Sequence, residues 1–251
     1  YLVASDLISE AGDIAATAET LISDGSMTAK IGSIAANAAE VAGTGFSAGQ
    51  DVAVTAATIA GTGILAGRNV TLDGTDNAAG SIANNSVSNS GDVAITNAER
   101  VDNNTVATAG SITVSNVQVL SGGEYVASNA INLGAENNKL NHIVDASFTG
   151  DSLAAFVTYD FTGNTVLADS SAEVDAGNAI INNRIVVNSG DAKLTAANFL
   201  ATNTITVSGT LTLDGAAPVV SNTIDTFGDI TITAAAYTAN NTIDTAGAFT
   251  I

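Results

Sequence analysis

The chain contains no cysteine and no tryptophan, and only one methionine, one proline and one histidine in 251 residues. Without cysteine there can be no disulfide and no thiolate metal site, so stability must come from burial and hydrogen bonding. A lone histidine means that any imidazole-based catalysis would rest on His142. Aromatic residues are few, seven Phe and four Tyr, which excludes a core built on large rings and suits a narrow interior lined by Ala, Val and Ile. Positive charge is scarce: 6 Lys and Arg stand against 25 Asp and Glu, a net charge of −19. Nucleic acid and anionic lipid both require a basic patch, so neither is an expected partner. No run of 18 apolar residues occurs, so membrane insertion by a helix is not expected either. The chain opens on Tyr1 with no Met or signal peptide, which reads as a processed form or part of something longer.

What is present is a repeat. Gly190, Gly209, Gly228 and Gly247 lie 19 residues apart, and Asn203, Asn222 and Asn241 follow the first three of them at one fixed offset. Gly91 and Gly110 share that spacing, and Gly12, Gly32, Gly49 and Gly67 open units of 17 to 20 residues. A fixed period near 20 is the signature of one supersecondary unit stacked on copies of itself. Within each unit apolar residues alternate after the glycine (Val93/Ile95, Ile112/Val114, Leu211/Leu213, Ile230/Ile232), the pattern of a strand with one buried face. Two shorter apolar patches follow, at Val119–Leu120, Phe199–Leu200 and Val219–Val220, and then at Val106, Ile205, Ile224 and Ile243.

The expected fold is therefore all-β: a right-handed, single-stranded parallel β-helix of about 12 coils of ~19 residues, with three short strands per coil. It is expected to form one domain over 1–251, with a polar bulge at 75–80 and an irregular region near 136–170.

Two columns of like residues support this register. The first is Asn85, Asn104, Asn164, Asn183, Asn203, Asn222 and Asn241, whose amides can bond along the axis and which tolerate a left-handed turn; position 123 is Gly and position 142 is His. The second precedes each first strand: Asp13, Ser33, Asp51, Asn69, Asp92, Ser111, Ala130, Asp151, Ser171, Asp191, Thr210 and Asp229. No two of its Asp occupy successive coils, which avoids a repulsion of about 1–3 kcal/mol.

Candidate chemistry is sparse. No zinc spacing, phosphate loop or calcium-binding nonapeptide repeat occurs, and no catalytic residue is assigned. Asp225 and Asp244 fall one period apart and are the candidate metal ligands, with calcium the single cofactor considered; a solvated pair is the plainer alternative. The stretch 136–161 gathers Glu136, Lys139, His142, Asp145, Asp151 and Asp160 with four aromatics, and Phe156, Tyr159, Phe161 and Asp160 are the candidate glycan contacts. The same rings could instead simply fill a larger coil. Outward threonines such as Thr113, Thr212 and Thr231 are interrupted by Asn132 and Lys193, so no flat threonine array is expected.

The runs GQDVAVTAATIAGTGILAGRNVTLDG (49–74) and GDITITAAAYTANNTIDTAG (228–247) resemble the G-x-[IV]-x-[LIV]-x-A repeats of filamentous-haemagglutinin-like β-helices, found in bacterial adhesins of the two-partner-secretion and autotransporter types. The resemblance spans nearly the whole chain and implies a secreted, cell-surface stalk that adheres along its side or projects a binding tip. The expected function is structural and adhesive and non-enzymatic, with a host-surface or glycan receptor. The last residues, 247–251, form an apolar strand without a cap, which predicts self-association end to end or continuation of a longer stack. The competing expectation is a polysaccharide-binding or polysaccharide-degrading β-helix working through 136–161.

Overall fold

The structure, a computed structural model, describes residues 1–215, 218–234 and 237–251. It is all-β with no helix among the described residues, and its parallel strands stack as a β-solenoid of about 13 turns of ~19 residues. Each turn supplies a first, a second and a third short strand, and each strand pairs with its counterpart in the neighbouring turns. The chain divides into two compact units, 1–129 and 130–251.

In the first unit the strands Ile14–Thr17, Ile34–Asn37 and Val52–Thr55 stack in register, so that Ile14, Ile34, Val52, Val70, Val93 and Ile112 form one buried column. Ile22, Val41, Ile59, Ile82, Val101 and Leu120 form a second column, and Met27, Phe46, Ile64, Val87, Val106 and Tyr125 a third. Alternation decides which residues go in: in Ile14–Thr17 the two apolar-facing positions are buried and the other two exposed. The 75–80 segment lies inside the long strand Val70–Ala83, where the pairing shifts register on either side of Asp76. Asp73 accepts from the Thr75 N–H at 2.9 Å and Asp76 from the Ala78 N–H at 2.8 Å, so two local turns absorb the extra residues.

In the second unit Leu153, Ala172, Ala192, Leu211 and Ile230 form the first buried column, and Phe161, Ile180, Leu200 and Val219 the second. The third runs Phe148, Val166, Ile185, Ile205 and Ile224, with Ile243 half-buried after them. Here one turn carries an insertion. Gly134 takes φ +74°, and Ala135 and Asn138 exchange two backbone hydrogen bonds of 3.1 and 3.0 Å in a tight antiparallel bridge before the strand Leu140–Val144.

The periodic glycines serve close approach. At Gly209 an added Cβ would stand 2.6 Å from the Gly190 carbonyl oxygen and closer still to Asp191 Oδ1; at Gly247 it would meet the Gly228 oxygen at 2.6 Å. Neither takes a positive φ, so the space, rather than backbone freedom, demands glycine there. The residue two before the glycine holds the turn: Thr226 Oγ1 donates to the Gly209 and Gly228 carbonyls at 3.1 Å and accepts from the Gly228 N–H.

Candidate functional site

Most of the polar side chains singled out by the repeat join turn to turn. In the Asn column, Oδ1 of Asn203 accepts from both the backbone N–H and Nδ2 of Asn183 at 3.0 Å, while its own Nδ2 donates to the Ile180 carbonyl (2.9 Å) and Asn222 Oδ1 (3.0 Å). The same motif links Asn164 to Asn183, Asn222 to Asn241 and, in the first unit, Asn85 to Asn104. Asn85, Asn104, Asn164, Asn183, Asn203 and Asn222 are buried, so the amides are dry and fully engaged. The left-handed residue is the one before the ladder: Asn103 (φ 51°), Asn182 (58°) and Asn240 (56°) take that conformation, and the ladder Asn follows it. The doubled Asn-Asn thus divides two tasks that the sequence reading assigned to one residue.

His142 is not in that column. The insertion at 134–138 lengthens its turn, so Ala146 occupies the place below Asn164 and its N–H donates to Asn164 Oδ1 at 3.0 Å. His142 sits instead in the second strand, paired with Asp160. Asp151 is likewise displaced: the strand Ser147–Thr162 slips register between Gly150 and Ser152, and Ser152 takes the expected column position beside Ser171.

Of the residues proposed to touch glycan, the structure separates one from the rest. Phe161 is fully buried, as is Phe148, because both alternate onto the inner face; Phe161 therefore cannot contact a ligand. Phe156 is half-buried and Tyr159 is 49% exposed. Tyr159 stacks on His142 with centroids 5.1 Å apart and planes 21° from parallel. His142 Nδ1 lies 3.3 Å from Asp160 Oδ2, and Asn178 Nδ2 donates to Asp160 Oδ1 at 2.5 Å. Nearby in sequence, Lys139 Nζ donates to Asp175 Oδ2 at 2.6 Å, and Glu136 is exposed on the inserted bridge. The carboxylates of Asp160 and Asp175 are each held by a nitrogen partner, so the cluster presents a ring and hydrogen-bonding groups rather than a pair of unengaged acids. Phe199, read from sequence as part of an apolar patch, points outward at 50% exposure while Leu200 is buried.

Asp225 and Asp244 face each other on neighbouring strands, both exposed. Among the described residues no group of three or more His, Asp or Glu is arranged to hold a metal ion. Two titrating groups are shifted. Burial pushes the Tyr125 phenol far above its ordinary value, against the opposing hydrogen bond from Asn104 and with a smaller push from Asp102. Arg100 is raised by its two-pronged contact with Asp102, at 3.0 and 3.1 Å.

Set against known proteins, the chain matches no family model, no curated protein and no solved structure.

Proposed function

We propose that this protein is a non-enzymatic, extracellular β-solenoid with a structural and adhesive role, a segment of a bacterial cell-surface stalk or adhesin. The observation that carries this reading is the use of the polar columns: Asn and Asp side chains at repeat positions bond one turn to the next. Acids committed in this way build a stiff stack and leave its outer faces for contact. The repeat grammar resembling filamentous-haemagglutinin-like adhesins points the same way. Copies are proposed to associate end to end, since a rung left unpaired at the edge of a parallel stack offers its backbone groups to another. Electron microscopy of the purified chain tests this, with filaments expected and isolated particles at high concentration counting against it.

The main experiment is surface labelling and adhesion of cells producing this chain, together with reducing-sugar and unsaturated-uronate assays on acidic and neutral glycans. Surface labelling, adhesion and no sugar turnover are expected. Glycan cleavage would overturn the non-enzymatic reading. A second reading, a polysaccharide-binding solenoid, is favoured by one observation, the exposed Tyr159 ring stacked on His142 beside Asp160 and Asn178.

A further inference from the structure

In the unit formed by 130–251, the start of the second strand marks one lateral position. From turn to turn it is held by His142, Asp160, Ala179, Phe199, Pro218 and Tyr237; Ala179 is buried, so in that turn the surface is formed by the preceding residue, Asn178. Phe199 is 50% and Tyr237 59% exposed, with Pro218 half-buried between them. Two strand spacings separate the rings, about 10 Å. One residue earlier in each turn run Tyr159, Asn178 and Asn198. Asn198 Nδ2 donates to Asn178 Oδ1 at 2.9 Å, and Asn178 in turn to Asp160. Along the stack the order is thus a ring pair (Tyr159 on His142), then a carboxylate and amides, then Phe199, Pro218 and Tyr237. Together they cover about five strand spacings, or about 24 Å.

The fold does not require these rings. The same lateral position is filled by the half-buried Asp160 and by the small, buried Ala179 in preceding turns, and the buried column alongside (Phe161, Ile180, Leu200, Val219) is formed by the next residue of each turn. Lined-up exposed aromatics in a chain this poor in aromatics therefore point to a ligand.

We propose that this strip is a docking track for an uncharged, linear, β-linked glycan lying along the stack, its pyranose faces on the rings and its hydroxyls on the amides. The proposal rests on the adhesive reading above and names its ligand class. Three features select the occupant. A flat sugar is apolar on its faces and polar at its edges, and the strip alternates rings with amides in the same manner. Its rung spacing is close to the rise per residue of an extended β-1,4-linked chain, so Phe199 and Tyr237 meet alternate sugars. A net charge of −19, with Asp160 in the strip, disfavours polyanionic glycans.

The test is titration of the full chain with cellohexaose and with hexa-N-acetylchitohexaose, using polygalacturonate as the acidic control, followed by calorimetry. We expect at least one neutral hexasaccharide to bind and polygalacturonate not to bind. The double substitution Phe199→Ala with Tyr237→Ala should weaken that binding by at least about tenfold. Phe227→Ala, an exposed ring off the strip, should leave it unchanged. Both strip rings are at the surface, so the melting temperature should hold in the double variant. Failure of both hexasaccharides to bind, or binding indifferent to the double substitution, overturns the track. So does loss of self-association in the double variant by sedimentation without glycan binding, which would make the strip a contact between copies. If surface adhesion survives those results, the adhesive reading stands without the track. A bound hexasaccharide that is shortened would instead keep the track and overturn the non-enzymatic reading.

Discussion

Residues 1–129 and 130–251 build the same three-strand turn, yet their polar seams are reversed. In the first unit the seam before the first strand is continuous: Asp13, Ser33, Asp51, Asn69 and Asp92 each accept the backbone N–H of the residue one turn on. In the second unit that seam shows as separate contacts, Asp191 to Thr210 and Asp229 to Ala248. The Asn ladder behaves oppositely, running from Asn164 to Asn241 in the second unit but shorter in the first, where Thr62 donates its N–H and Oγ1 to Asn85 Oδ1, Asn85 joins Asn104, and Thr44 and Gly123 hold the places on either side. The two seams also point opposite ways. Asp oxygens accept from the following turn, Asn oxygens from the preceding one. One seam is dry and the other wet, and that difference should govern what each contributes.

The largest effect expected is therefore at the dry seam. Asn203→Ala strands the Asn183 N–H and the Ile180 carbonyl in a buried site and should cost about 4 kcal/mol in urea denaturation. Asp51→Ala, whose side chain is 38% exposed, leaves the Asn69 N–H within reach of water and should cost about 1 kcal/mol. Equal costs would break the distinction between dry and wet seams.

A smaller contrast comes from glycine. Gly209→Ala drives a methyl against the Gly190 carbonyl and should cost about 2–3 kcal/mol. At Gly63 an added Cβ meets nothing within 4 Å and φ is not positive, so Gly63→Ala should stabilise by about 0.4–1 kcal/mol. Thermal melts of the two variants should move in opposite directions.

The last effect is absent at neutral pH and appears only at alkaline pH. Tyr125 lies where the Asn ladder stops at Gly123, and its folded form keeps the phenolic proton that the unfolded chain begins to lose near 10.0. The contribution is complete below that value and is lost as pH rises through and above it, by up to about 1.4 kcal/mol per pH unit. Tyr125→Phe should flatten this part of the pH–stability curve relative to the parent chain, as read by urea midpoints. Parallel curves would place the relevant ionisation elsewhere.

The fold was legible because alternation and the 19-residue spacing both survive in the sequence: Val93/Ile95 and Leu211/Leu213 fall inward as the pattern predicts. What was not legible depended on insertions and on which side of a pleat a ring falls. The bridge at 135–138 shifts His142 out of the ladder, and the slip after Gly150 moves Asp151 out of the seam; counting from a neighbouring glycine cannot reveal either. Phe161 and Phe199 both fall in second strands, yet Phe161 is inside and Phe199 outside, because Phe161 shares its column with Ile180 and Leu200 whereas Phe199 lies one residue earlier, beside Ala179. The outer cluster of Tyr159, His142 and Asp160 could be suspected from density of polar and aromatic residues, whereas the continuation through Asn178 and Asn198 to Phe199 follows only from register.

Register, like residue over like, can be read directly by cross-linking, since the native chain has no thiol to compete. Thr212 and Thr231 pair on adjacent strands, at a spacing of about 4.8 Å that a disulfide spans, whereas Thr233 lies two residues further along, about 8 Å from Thr212. Paired cysteines at 212 and 231 should oxidise readily and be found joined by mass spectrometry, while a pair at 212 and 233 should stay reduced. A chain in which 212 joins 233 in preference to 231 would contradict the stacking on which the seams and the surface strip depend.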